Sequence, residues 1–210
     1  MALLFLSRLQ GSTITILMDD HKENFKKFFR RFLPIDDSSF EEILTSFELK
    51  VYAKGAHFGK KGQLISKMGF LSQGIARSYY LNEKGEEISR RIAMEPSMIT
   101  AYDSFINQIP SRENIQFLEE SYVWEISRAK DKELIDKNQA YSNWRRIGID
   151  HEFISVLRYL ERFIDANAES RYKMIMLHTP HMIERVPLQY IASLIGVTPT
   201  QLSRIRNKIR

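Results

Sequence analysis

The sequence contains no cysteine among its 210 residues. Disulfide bonds, thiolate metal sites and cysteine-ligated iron–sulfur clusters are therefore excluded. No apolar run approaches the roughly 20 residues that a membrane-spanning helix needs. We therefore expect no membrane partner and a cytoplasmic protein.

Catalytic patterns are missing as well. The sequence has no glycine-rich loop of the P-loop or dinucleotide-binding type. It has no serine–histidine–acid spacing, no metal-ligating cluster and no paired acids on one element. We therefore predict no catalytic residues, no metal site and no cofactor, in a protein that is not an enzyme.

The charged side chains are unevenly distributed along the sequence. Hydrophobic residues make up 43% of the chain and charged residues 27%, which is typical of a soluble globular protein. Residues 169–210 contain seven basic and two acidic side chains, so they carry the whole net charge of +5. A neutral body with a basic C-terminal segment predicts an anionic partner for that segment.

The N-terminal segment Met1–Leu17 is apolar and is interrupted by Arg8, whereas Met18-Asp19-Asp20 opens a polar stretch. A signal peptide would place its basic residues before the apolar run. We prefer a natural start at Met18 and treat residues 1–22 as an extension. A genuine extension packed on the body and an export signal are the alternatives.

Two short helices are expected next. Asn24–Leu33 has phenylalanines at helical spacing, which favours a helix packed on a core over one on a membrane surface. Pro34 should end it. Asp36–Phe47 should form a second helix capped by Ser38 or Ser39.

From Glu48 to Ser127 the chain changes to short apolar runs separated by glycine and asparagine turns. The six runs expected to form strands are ELKVYA, GFLSQ, IARSYYL, EEISRRIAM, NIQFLEES and YVWEIS. Such spacing predicts an antiparallel sandwich or barrel. The stretch Glu95–Pro110 is less typical of strands, and we expect a turn, a short helix and a loop there.

A helical region follows. After the short helix Ala129–Asn138, a longer helix is predicted over Asn143–Ala166. Its apolar side chains recur at intervals of four and three residues, which suits either coiled-coil pairing or packing within one subunit. The apolar stripe comprises Ile149, Phe153, Leu157, Leu160 and Ile164, and is extended by Trp144 and Ile147. Asn167–Ser170 should form a hinge and cap, followed by a short helix over Arg171–Leu177.

The last segment, Val186–Arg210, has the layout of a helix-turn-helix. Two apolar-periodic segments, Leu188–Ile195 and Thr200–Ile209, flank a break at Gly196–Pro199. A glycine accepts a positive φ, and Thr198 followed by proline can begin a helix. Small Ala192 is spaced to face Leu202. An ordinary helical hairpin is the alternative, and the combined pattern favours the DNA-binding motif.

This order of elements resembles the cyclic-AMP receptor/fumarate-nitrate regulator (Crp/Fnr) superfamily over residues 23–210. The matching residues are Lys54-Gly55, Gly62, Ser72–Arg77, Asn82–Glu86, Glu169–Tyr172, Thr179-Pro180, Val186-Pro187, Ile191–Thr198 and Leu202–Arg206. The resemblance implies an α+β fold with an N-terminal β-roll (a double-stranded β-helix like those of cyclic-nucleotide-binding domains). It assigns residues 23–140 to the sensor, 141–166 to a dimerisation helix and 167–210 to a helix-turn-helix domain that lacks a C-terminal wing.

The resemblance implies a sequence-specific transcriptional regulator that binds double-stranded DNA as a homodimer and has RNA polymerase as a further candidate partner. The long helix would then transmit any change in the β-roll to the spacing of the two recognition helices. Arg204 is the expected principal contact, since family members keep an arginine there. The full candidate set is Thr198, Thr200, Gln201, Ser203, Arg204, Asn207 and Lys208.

Cyclic-nucleotide binding is not supported by the residues. Nucleotide-binding members have a Gly-Glu pair, where this chain has Ala101-Tyr102, and an Arg-Ser pair, where it has Arg112-Glu113. A carboxylate beside the phosphate would repel it, and loss of the glycine blocks close backbone approach. Tyr102 and Arg112 remain candidate ligand residues, although an ordinary surface role is preferred for Arg112. The effector is therefore an unknown small molecule, or there is none.

One alternative function remains open. The β-roll and the basic helix pair could form a non-enzymatic protein-interaction module. Salt dependence separates the two hypotheses, because DNA binding releases counterions and weakens steeply with salt.

Overall fold

The computed structural model describes residues 11–209, with side chains described for residues 18–161 and 166–209. The expectations for Met1–Leu17 therefore concern residues whose side chains lie outside the described part of the structure. Helix α1 (Gly11–Arg30) has its phenylalanines Phe25 and Phe29 fully buried, as expected for a helix packed on a core.

Helix α2 (Asp37–Leu44) begins seven residues after the last residue of α1, Arg30. Its N-cap is Asp36, where we expected Ser38 or Ser39. The Asp36 carboxylate accepts a hydrogen bond from the backbone N–H of Ser39 at 2.8 Å. Both serine hydroxyls donate to the same carboxylate, at 2.6 and 2.7 Å. Asp36 is the N-cap in place of a serine because its one carboxylate accepts all three hydrogen bonds at once.

Eight strands form two antiparallel sheets in residues 48–127. The first sheet has the order β1-β8-β3-β6 and the second β2-β7-β4-β5. The strands are β1 (Glu48–Tyr52), β2 (His57–Gly59), β3 (Lys67–Gln73), β4 (Ile75–Leu81), β5 (Glu87–Met94), β6 (Ser97–Ile99), β7 (Asn114–Phe117) and β8 (Ser121–Ser127). Helix α3 (Tyr102–Asn107) lies between β6 and β7. The predicted antiparallel architecture is confirmed.

The turn between β3 and β4 requires a glycine. Gly74 has φ +113°, and a Cβ atom there would lie 2.8 Å from the backbone of Ser121. No L-residue fits such a turn without strain. The turn passes the chain from the first sheet to the second, so the β-roll depends on it.

Apolar side chains fill the space between the two sheets. Phe58, Leu71, Ile115, Phe117 and Val123 are all buried in one cluster there. A second cluster joins the outer face of the first sheet to α1, α2, α4 (Arg128–Lys137) and the base of α5 (Gln139–Asp165). Both tryptophans, Trp124 and Trp144, belong to this second cluster.

Helix α5 leaves the body of the molecule after its first three turns. Tyr141 and Trp144 are buried at its base, so Trp144 packs in the subunit core and does not extend the exposed stripe as we expected. Every side chain from His151 to Glu161 is exposed, including Phe153 at 63%. The side chain of Ile164, the last stripe residue, lies outside the described residues.

The C-terminal unit contains four short helices packed on the outer face of the second sheet. They are α6 (Ala168–His178), α7 (Pro180–Arg185), α8 (Leu188–Leu194) and α9 (Pro199–Ile209). Asn167 caps α6 by accepting from the backbone N–H of Ser170 at 2.9 Å. Helix α7 was not predicted, and its first residue is Pro180, since proline suits the first turn of a helix.

Candidate nucleic-acid interface

The turn between α8 and α9 has the geometry that its residues predict. Gly196 has φ +77°, and the backbone N–H of Val197 donates to the carbonyl of Ala192 at 2.9 Å. This closes the end of α8 with the chain reversed at a left-handed residue. Ala192 and Leu202 are fully buried in the same cluster, so the two helices meet at the expected small residue.

The start of α9 is a reciprocal capping box. The hydroxyl of Thr198 accepts from the backbone N–H of Gln201 at 3.2 Å. The side-chain oxygen of Gln201 accepts in return from the backbone N–H of Thr198 at 2.9 Å. Two helix N-terminal donors are thereby satisfied. The side chain of Gln201 is thus oriented by the cap, with its amide NH2 group left as the donor for an outside acceptor.

One face of α9 is polar and open. Leu202 faces the core, with Ile205 and Ile209 packed against it. The candidate residues are exposed without exception: Thr198, Thr200, Gln201, Ser203, Arg204, Asn207 and Lys208. They combine hydroxyl, amide and cationic groups, which are the side-chain types that contact base edges and phosphates.

An ion pair joins this face to α6. The Lys208 ammonium lies 2.8 Å from a carboxylate oxygen of Glu169, and Lys173 lies 2.8 Å from the other. The two lysines lower the pKa of Glu169 to about 2. Sequence reasoning placed Lys208 in the candidate set but not this partner, which is 39 residues away.

A second contact from α6 supports the turn itself. Arg171 donates from Nη1 to the carbonyl of Ile195 at 3.1 Å, at the C-terminal end of α8. A Cβ atom on Gly196 would come 3.5 Å from the same Nη1 atom. Its neighbour Tyr172 is buried in the cluster of the helix-turn-helix. This explains why an Arg-Tyr pair stands well before the motif.

The two β-roll candidates are not brought together. Tyr102 is 46% exposed at the first residue of α3. Arg112 is exposed and lines an open groove of about 440 Å³ with Tyr80, Arg90 and Glu113, and Tyr102 is not among its lining residues.

Glu113 shapes the charge of that groove. Burial raises the pKa of Glu113, against the opposing effects of Arg90 and Arg91. Arg90 approaches its carboxylate at 3.7 Å. Glu113 and Arg112 therefore line the same groove, with Arg90 paired to Glu113.

Within residues 18–161 and 166–209, no three histidine, aspartate or glutamate side chains are grouped so that they could hold a metal ion. No helix in the described part of the chain is long and apolar enough to cross a membrane.

Solved structures share this architecture. One is a protein from Eubacterium rectale assigned to the Crp/Fnr family of transcriptional regulators, with a TM-score of 0.61, 15% identity and 83% of each chain covered. Another is the c-di-GMP-responsive global regulator CLP of Xanthomonas campestris, with a TM-score of 0.62, 14% identity, and 83% of this chain and 91% of that one covered.

The catabolite activator protein of Thermus thermophilus is similar as well, with a TM-score of 0.55, 14% identity and 85% of each chain covered. The chain has the Crp/Fnr fold. No protein-family model and no curated protein sequence matches it. The Crp/Fnr likeness is thus one of architecture, with a β-roll, a long helix and a C-terminal helical unit in the same order.

Proposed function

We propose that this protein is a homodimeric, sequence-specific DNA-binding transcriptional regulator of the Crp/Fnr type, cytoplasmic and without catalytic activity. The observation that carries the proposal is the exposed polar face of α9, held over a capped turn with a positive-φ glycine. A helix presented in this way fits the major groove, with its N-terminal residues toward the base edges.

The distribution of positive charge also supports DNA as the partner. The segment that contains α6 to α9 carries the whole positive excess of the chain, while the β-roll and α5 are balanced. Basic side chains contribute affinity for the phosphate backbone, and the polar residues of α9 contribute sequence preference.

The exposed apolar stripe of α5 supports a dimer that recognises two DNA half-sites. Phe153, Leu157 and Leu160 are exposed along one stripe of α5, beyond the point where the helix leaves the body. An apolar stripe of this spacing pairs with a second copy. Two recognition helices would then meet half-sites about 34 Å apart on one side of the duplex.

The β-roll serves in this proposal as a sensor whose cyclic-nucleotide pocket is degenerate. Its interior is filled by apolar side chains, Ala101-Tyr102 replaces the pair that would bind a ribose, and Glu113 stands beside Arg112. The effector is therefore a different small molecule, or the regulator acts without one.

The test is selection of bound DNA from a random pool by the purified full-length protein. We expect an enriched palindrome whose binding weakens steeply with salt. Arg204→Ala should reduce specific binding by roughly 5- to 150-fold, which corresponds to about 1–3 kcal/mol for a bidentate contact with guanine.

Arg31→Ala is the matched control, because Arg31 is an exposed arginine on the N-terminal side of the β-roll. It should select the same palindrome as the unmodified protein. Equal binding by Arg204→Ala would remove Arg204 from the interface. No enrichment with any of the proteins would contradict DNA binding and favour the protein-interaction module.

A further inference from the structure

The helix-turn-helix unit is docked on its own β-roll through the edge strand β5. The Ser193 hydroxyl of α8 accepts from the backbone N–H of Ser89 at 2.8 Å and donates to the carbonyl of Glu87 at 3.2 Å. Strand β5 is the edge of its sheet, so these two backbone groups have no strand partner on that side. A single serine of the DNA-binding unit satisfies both.

A buried arginine spans the same boundary. Arg77 of β4 is 0% exposed and donates to the Ser89 hydroxyl at 2.9 Å and to Glu87 at 2.7 Å. Its guanidinium carbon lies 4.3 Å from the ring centre of Tyr79 and 3.9 Å from that of Tyr190 in α8. The guanidinium is therefore stacked between a ring of the β-roll and a ring of the DNA-binding unit.

Two carboxylates of the β-roll hold α7. Arg185 lies 2.6 Å from one oxygen of Glu95 through Nη1, and its Nη2 contacts both Glu95 and Glu119. Glu95 also accepts from the backbone N–H of Gly74, the turn glycine of the β-roll, at 3.2 Å. One arginine thus ties the DNA-binding unit to two turns of the sensor.

The apolar core is continuous across this boundary. Ile75 and Leu118 of the β-roll lie in one cluster with Met182, Ile191 and Leu202 of the DNA-binding unit. A unit as short as residues 168–209 is at the limit of about 40 residues below which a chain rarely builds a sufficient core alone. The outer face of the second sheet completes the core that the four helices lack.

The long helix α5 is tied to the same β-roll. Tyr141 and Trp144 at its base pack in the cluster beneath the first sheet, and Arg91 of β5 lies 3.0 Å from Glu152 of α5. Ala166 and Asn167 have extended backbone conformations, so a two-residue break separates α5 from α6. The β-roll therefore holds both the base of α5 and the docked helical unit.

We propose that the β-roll, with the base of α5, and the helix-turn-helix unit form one cooperative folding body that is joined at β5 and α8. A change in the sensor then reaches the recognition helix directly through β5 and α8. This route is shorter than the expected one through the long helix. This regulatory consequence rests on the proposed function, whereas the docking does not.

The test is thermal unfolding of the full-length protein followed by two probes. Both tryptophans, Trp124 and Trp144, lie in the core beneath the first sheet, so their fluorescence reports on the β-roll and the base of α5. Helical circular dichroism also reports on α6 to α9. We expect one coincident transition, and Tyr190→Ala should lower its midpoint by about 5 °C with both probes.

Gln189→Ala is the matched control, because Gln189 is exposed on the same helix next to Tyr190. It should leave the midpoint unchanged. Separate transitions for the two probes, or a Tyr190→Ala shift seen only by circular dichroism, would overturn the proposal. Coincident transitions in a protein that selects no DNA would leave the docking intact and remove the proposed function.

Discussion

At the scale of single residues, Glu169 forms an ion pair with one cation of α9. Its carboxylate binds Lys173 of its own helix and Lys208 of α9, each at 2.8 Å. Because the pKa of Glu169 is lowered to about 2, the carboxylate stays ionised throughout the neutral range. A DNA phosphate that approaches Lys208 must therefore compete with an existing ion pair, which is exposed and hence weak.

Glu169→Gln should strengthen DNA binding about two- to fivefold at low salt. The substitution frees Lys208 for a phosphate, so the slope of log affinity against log salt should become steeper by about one. Titration of labelled operator at several salt concentrations measures both quantities.

Glu184→Gln provides the control, because Glu184 is an exposed acid of the same unit whose ion-pair contact is with His181. It removes the same charge without releasing a lysine of α9. An equal effect of both substitutions would mean that Lys208 itself contributes nothing.

At the scale of elements, α5 has two distinct parts. Its base is held in the core, where Arg145 lies 3.0 Å from buried Asp131 and the Tyr141 hydroxyl donates to the same carboxylate. Its outer part, from His151 onward, presents apolar side chains to solvent. The rigid base fixes the direction of the helix, and the outer part is available to a second copy.

Leu157→Glu should convert the proposed dimer to a monomer, because it places paired carboxylates in the apolar stripe. Leu157 is exposed within one subunit, so the fold of the monomer should be unaffected. Analytical ultracentrifugation measures the change, and operator affinity should fall with it, since a monomer reaches one half-site.

Ser155→Glu is the matched control on the opposite side of α5, at a residue that is also exposed. It should remain dimeric. A Leu157→Glu protein that sediments as a dimer would show that the stripe is not the interface.

At the scale of the whole molecule, the interior of the β-roll is filled by apolar side chains. Ten buried residues form the cluster between the sheets. A nucleotide placed between the sheets would displace part of that core, which costs several kcal/mol for each large apolar side chain moved. The groove beside Arg112 is open, and the partly buried Glu113, whose pKa is raised by burial, lines it as well.

Cyclic AMP and cyclic GMP should show no saturable binding at micromolar concentration. Isothermal titration calorimetry on protein with a cooperative melting transition measures this directly. Saturable micromolar heat with either nucleotide would mean that the β-roll opens and that its pocket is functional.

The sequence was enough to determine the local parts of the site. Gly196, Thr198 and Pro199 are adjacent, and Ala192 and Leu202 are ten residues apart, so the turn depends on contacts within a short segment. Six of the eight strands were predicted from their apolar runs. The other two, β2 and β6, have three residues each, too few for a recognisable alternation, and form through pairing with β7 and β3.

The tertiary structure alone decided how the parts are joined. The stacking of Arg77 on Tyr190, the binding of Arg185 by Glu95 and Glu119, and the pairing of Lys208 with Glu169 link residues that are far apart in the chain. Periodicity reports which face of an element is apolar but not which surface will cover it. That choice depends on loop closure and on the joint packing of all the elements, which no local pattern encodes.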